Sequence, residues 1–129
     1  MSRLRLLFVL MLAGCGGGGD SKFEEALAAA NAKEAQAAGL GVAAPCGAVE
    51  QCGNLQFANS TKFCGTYHYQ PYSLVSATAA AASAAAAEQR ELAAVSRSLD
   101  KPKDIACPAF VEMPPALACV AGGCQVAAP

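Results

Sequence analysis

The apolar positions change period several times along the chain. Leu6-Leu7-Phe8-Val9-Leu10-Met11-Leu12 is one unbroken run. At 1.5 Å per residue it makes about 10 Å of helix, far short of a bilayer core of about 30 Å. Residues 21–38 place Phe23, Leu27 and Ala30 on one helical face, but Glu34 takes the next position of that stripe. Ser21-Lys22-Phe23-Glu24 reads as a capping box, and Gly39 as the stop at the other end. An apolar face that fades after two turns predicts a spacer or lightly docked arm. Gly39-Leu40-Gly41-Val42-Ala43-Ala44-Pro45 then reads as a linker.

Beyond the linker the period shortens to two. Residues 54–58 predict a short strand with Leu55 and Phe57 on one face, and Asn59-Ser60-Thr61 a turn. Over 62–70, Phe63, Gly65, Tyr67 and Tyr69 point one way and Cys64, Thr66 and His68 the other, with Pro71 ending the run. Residues 73–99 return to helical spacing through Leu74, Thr78, Ala81, Ala85, Leu92, Val95 and Leu99. The alanine-rich centre, 77–87, offers a flat face that a sheet or another helix can approach closely. Lys101-Pro102-Lys103-Asp104 reads as an exposed break, and 109–113 as a strand stopped by Pro114-Pro115.

The C-terminal pattern is a hairpin, Leu117-Ala118-Cys119-Val120-Ala121 and Cys124-Gln125-Val126 around a Gly122-Gly123 loop. That loop sets Ala121 against Cys124 and Cys119 against Val126, so the two cysteines lie diagonally. Each is therefore expected to bridge to another segment, either the 46–64 region or Cys107; a longer loop would let the two pair with each other.

Composition thins the expected core. Hydrophobic residues make up 54% of the 129, but 31 residues are alanine. Beyond residue 14, Leu, Ile, Val and Phe number only 19, below the share that usually builds a good core. A small domain of this kind needs staples. A large enzyme, a multi-domain protein and a polytopic membrane protein are excluded.

Met1-Ser2-Arg3-Leu4-Arg5 is a short positive segment before the apolar run, and Leu12-Ala13-Gly14-Cys15 follows it. This is the layout of a secretory signal, and the last four residues resemble the lipobox of bacterial lipoproteins. The resemblance implies cleavage before Cys15, a diacylglycerol on its thiol and a further acyl chain on its amine. More than one acyl chain suffices for stable anchoring. Gly16-Gly17-Gly18-Gly19-Asp20 fits a flexible tether behind the anchor. Such lipoproteins tend to stay at the inner membrane when aspartate follows the lipidated cysteine; Gly16 leans towards the outer membrane.

With Cys15 acylated, six of seven cysteines remain: Cys46, Cys52, Cys64, Cys107, Cys119 and Cys124. In an exported, oxidising setting, three disulfides are the default, with fifteen connectivities open. No Cys-x-x-Cys occurs, and His68 is the only histidine, so metal or redox chemistry is the lesser reading. Loss of Arg3 and Arg5 leaves seven basic against ten acidic side chains, with no footprint for nucleic acid.

No catalytic arrangement stands out. The serines lack a Gly-x-Ser-x-Gly setting, and no spacing pairs Glu88, Glu91, Asp100, Asp104 or Glu112 as acid and base. His68, within Tyr67-His68-Tyr69, has no sequence partner. Tyr67, Tyr69 and Tyr72 are the only tyrosines, and they suit either an interface or a leucine-poor core. Lys62-Phe63-Cys64-Gly65, Tyr72-Ser73 and the segment from Leu117 to Cys124 also resemble a pattern in small exported bacterial proteins of unassigned function.

These features together predict a signal peptide over 1–14, a lipidated tether with a short helix over 15–45, and a cysteine-rich domain over 46–129. The expected fold is α+β: one long alanine-rich helix on short antiparallel strands and a C-terminal hairpin. The expected function is a lipid-anchored envelope protein, facing the periplasm from the outer membrane. It is expected to be non-enzymatic and without cofactor or metal, binding or scaffolding an envelope partner. The alternatives are an inhibitor of an exported hydrolase, with a rigid loop near Pro114-Pro115, and a thiol-redox or metal-binding protein.

Overall fold

The computed structural model describes residues 20–61, 64–100, 106–109 and 112–129. The signal segment, Cys15, Lys62, Phe63 and the 101–104 break lie outside the described residues. The elements in order are α1 (Asp20–Leu40), a 3₁₀ turn (Val49–Gln51), β1 (Cys52–Ala58), β2 (Tyr67–Ser73), α2 (Ala79–Leu99), β3 (Leu117–Val120) and β4 (Gly123–Val126). This is a small disulfide-rich α+β domain, with two antiparallel ribbons, β1–β2 and β3–β4.

The helix expected to be a loose arm is part of the core. α1 runs antiparallel to α2: Ala30 packs near Ala93, Glu34 meets Gln89, and Ala37 packs on Ala82, Ala85 and Ala86. Ala30 and Ala37 are both 0% exposed. Small side chains on both helices let the backbones come close, and that proximity replaces the bulk that a leucine seam supplies. Glu34 does not end the stripe, because its carboxylate is used there by polar neighbours. Lys33 and Glu88 form an ion pair beside the seam.

The helix boundaries also differ from expectation. α1 begins at Asp20 and continues through Gly39 to Leu40. Its last carbonyls are capped from outside: Gln70 Nε2 donates to Ala38 O at 3.1 Å, and Thr78 Oγ1 to Leu40 O at 2.6 Å. With these partners present, no glycine cap is needed at residue 39. α2 starts at Ala79 rather than residue 73, since Tyr72 and Ser73 belong to β2. The backbone N–H groups of Ser73 and Leu74 are held by Val42 O and Gln51 O, which keeps this stretch extended.

The buried face of α2 is Ala82, Ala85, Ala86, Gln89, Ala93 and Ser96. Only Ala85 of the expected stripe lies on it; Leu92 is half-buried at its margin, and Leu74, Val95 and Leu99 are each close to half exposed. Large apolar side chains do not fit a seam this narrow. Small and hydrogen-bonding ones do.

β1 places Leu55 and Phe57 in the core, as their alternation predicts, together with Tyr72 of β2. β2 starts at Tyr67 because Gly65 adopts φ +60, a left-handed turn that breaks the extended run expected from residue 62. It then passes through Pro71, which lies opposite Asn54. Tyr67 N and Ser73 N, of the same parity as Pro71, bond to groups outside the ribbon. Pro71 thus sits where the ladder asks for no N–H. Of the expected strand over 109–113, Ala109, Glu112 and Met113 have no regular structure; 110–111 lie outside the described residues.

The two structural layers are joined by side chains that reach backbone. Gln89 is fully buried and grips Ala58 at both ends, accepting from its N–H at 2.9 Å and donating to its C=O at 2.8 Å. Arg90 donates to Gln56 O, Arg97 to Asn59 O and Ser96 to Ser60 O. The edge of β1 not paired with β2 is thereby covered by α2, which blocks edge-to-edge pairing with another chain.

Two stability measurements check this construction. Gln89→Ala leaves a buried donor and acceptor of Ala58 without partners, and is expected to cost about 3 kcal/mol in urea unfolding. In the hairpin, Ala121 carries φ 51 before Gly122 at φ 77. A left-handed residue is unfavourable for alanine and well suited to asparagine. Ala121→Asn is expected to raise stability by about 1 kcal/mol, and Ala121→Val to lower it, both read by thermal unfolding.

Candidate functional site

The six cysteines expected to pair do so, as Cys46–Cys119, Cys52–Cys124 and Cys64–Cys107. Cys119 and Cys124 each bridge to the 46–52 segment, but not from the diagonal placement expected of them. The hairpin loop is Ala121-Gly122, so Gly123 joins β4 and Cys119 lies directly opposite Cys124. Register is set from outside the hairpin, by Cys46 N donating to Gly122 O and Cys124 N donating to Ala43 O. Side by side, the two cysteines can reach two neighbouring targets. The sulfurs of Cys46, Cys52 and Cys124 lie within 4.8 Å of one another, and Cys119 completes the pair of bridges. Cys46 and Cys124 are buried, while Cys52 and Cys119 are half-buried.

The tyrosines separate. Tyr72 is buried against the helices, over Gly53. Tyr67 and Tyr69 lie on the opposite face, which bears Asn54 and Gln56. There Tyr69 accepts from Gln56 Nε2 and donates to Glu112 O, while Asn54 Nδ2 donates to Pro115 O. Tyr67 N donates to the Glu112 carboxylate at 2.6 Å, and Tyr67 is 41% exposed. The three tyrosines therefore do not form one interface. Their alternation along β2 separates Tyr72 from the other two, because 67 and 69 share a parity that 72 lacks.

His68 lies on the face opposite Tyr67 and Tyr69, as the alternation predicts, and there meets a carboxylate of α1 far away in sequence. Its Nε2 lies 2.8 Å from Glu34 Oε1, and Gln89 Nε2 donates to Glu34 Oε2 at 3.5 Å. Its ring tilts against Phe57, with centroids 5.2 Å apart. The cluster orients an imidazole between a strand and a helix.

Of the other carboxylates, Glu88 pairs with Lys33, Glu112 serves the Tyr67 backbone, and Glu91 and Asp100 are exposed. Asp104 lies outside the described residues. Among the described residues no surface pocket is present, and no helix is long and apolar enough to cross a membrane. Sequence reasoning missed Glu34 and Gln89 as functional neighbours of His68. The available signal was polar residues standing at i and i+3 or i+4 within otherwise small-residue faces. No protein-family model, curated protein or solved structure matches this chain.

Proposed function

We propose that the protein is a lipid-anchored module of the cell envelope, facing the periplasm from the outer membrane, that binds an envelope protein rather than transforming a substrate. The three disulfides fit an oxidising, exported compartment. The lipobox-like Leu12-Ala13-Gly14-Cys15 supplies the anchor, and the glycines after it connect that anchor to α1.

The observation that carries the reading is the separation of the two ends. α1 has 21 residues, about 30 Å of helix. Its N-terminal end continues from the tether. Beyond its C-terminal end stands the region fixed by two adjacent disulfides. Val42, Val49, Leu74, Val75 and Val120 are each close to half exposed there. Ser73 bonded to Val42, Leu74 to Gln51 and Cys46 to Gly122 hold these segments together. A stapled surface is ordered before it binds, which lowers the entropic cost of association.

A second reading, inhibition of an exported protease, rests on one segment. Met113 is 81% exposed and precedes Pro114-Pro115. Glu112 and Pro115 on either side are fixed to Tyr67, Tyr69 and Asn54. A side chain presented from a pinned backbone is the geometry of a substrate-mimicking loop.

Cys15→Ser is expected to move the protein from the membrane fraction to the soluble fraction without changing its disulfides, as read by fractionation and intact mass. Photo-crosslinkers at Val120 and at Leu99 in the native envelope then compare the two ends. Capture of one protein species from Val120 but not from Leu99 is expected; equal labelling from both ends overturns the binding assignment. For the second reading, loss of inhibition of a purified exported protease in Met113→Gly is the expected result.

A further inference from the structure

The two bridges between the hairpin and the 46–52 segment are close enough to exchange with one another. Cys46 Sγ lies within 4.8 Å of both Cys52 Sγ and Cys124 Sγ, although it is bonded to neither. Cys119 is directly across the hairpin from Cys124, although it is not bonded to it. Cys46 thus has, besides its partner Cys119, two further sulfurs near at hand, and Cys119 has Cys124 as its ladder neighbour. Cys64–Cys107 belongs to a different part of the chain and is not a member of the group.

We propose that these four cysteines form a thiol-exchange site, entered at Cys119 by an external thiol and relayed by Cys46. An incoming thiolate attacks Cys119 Sγ, the half-buried member of its bridge, forming a mixed disulfide and expelling Cys46 as thiolate. The Cys46 thiolate attacks Cys52 Sγ, forming Cys46–Cys52 and expelling Cys124. The Cys124 thiolate then attacks the mixed disulfide at Cys119, its ladder partner, forming Cys119–Cys124 and returning the external thiol. Three S–S bonds form and three break, and no net electrons are gained or lost. The ligand is a thiol, used catalytically. The product keeps both disulfides, but they now lie within each segment, so β3–β4 is no longer covalently held to the 46–52 segment.

The exchange is read by incubating the folded full chain with reduced glutathione, quenching in acid, alkylating and mapping the bridges by non-reducing digestion and mass spectrometry. Cys46–Cys52 and Cys119–Cys124 are expected to appear together. They should exceed any bridge that joins one of the four to Cys64 or Cys107 by about tenfold or more, because sulfurs already held close together react at a higher effective concentration than those held apart by the fold. A Cys52→Ser/Cys124→Ser double variant removes the second bridge and is expected to stop at a single glutathione adduct on Cys119. Native bridges that persist in the group while Cys64–Cys107 exchanges with glutathione overturn the proposal. Rearrangement spread evenly over all six cysteines does so too, as does an adduct on Cys46 in the double variant.

The distinction between a small thiol and a dithiol protein as the natural ligand is drawn by repeating the mapping with a purified periplasmic dithiol oxidoreductase in its reduced form. Faster appearance of the same two bridges than with glutathione at equal thiol concentration assigns the protein ligand. Equal or slower appearance assigns the small thiol.

Discussion

The helices approach one another over alanine, and that closeness leaves no depth between them for large side chains. Ala30, Ala37, Ala82, Ala86 and Ala93 are almost wholly enclosed, yet each removes little apolar surface from water. Leu55, Phe57 and Tyr72 of the ribbon pack on these alanines, and hydrogen bonds secure the rest of it to the helices. Gln89, Arg90, Ser96 and Arg97 extend from α2 to carbonyls along β1 and the loop after it, and Gln70 and Thr78 extend to the end of α1. Such bonds are directional in a way that apolar contacts are not. A thin core is thus compatible with a defined arrangement.

The disulfides divide the remaining work. Cys46–Cys119 and Cys52–Cys124 hold a four-residue-stranded hairpin that, by itself, would be marginal in water. Each closes a loop of more than seventy residues, worth about 4 kcal/mol for one bridge against an open chain. The two overlap along the sequence, so their effects do not add. Cys64–Cys107 instead ties the connection after β1 to the segment following α2.

What could be read in the sequence followed from periodicity and counting. Leu55 and Phe57 lie on the core face that period two marks on a short strand, and the even number of cysteines beyond Cys15 matches the three bridges. The buried face of α2 is not legible from apolarity because size decides it: Leu74, Val95 and Leu99 mark an apolar stripe but fit no seam. Glu34 misled for a related reason, since a polar residue looks like the end of an apolar face until its partners, His68 and Gln89, are known. The hairpin turned at Ala121-Gly122 rather than Gly122-Gly123 because Ala43 and Cys46 outweigh local turn preference. The pairing of cysteines was not contained in their spacing at all. The position of Cys15 lies outside the described residues.

The order of the cysteines along the chain has a consequence for how the protein is made. A chain that crosses a membrane N-terminus first delivers Cys46 and Cys52 into the oxidising side well before Cys119 and Cys124. During that interval the nearest available partners for the early thiols are each other. A bond formed then joins residues that the finished fold connects elsewhere. The native connectivity joins early cysteines to late ones, so it is complete only once the last segment has arrived.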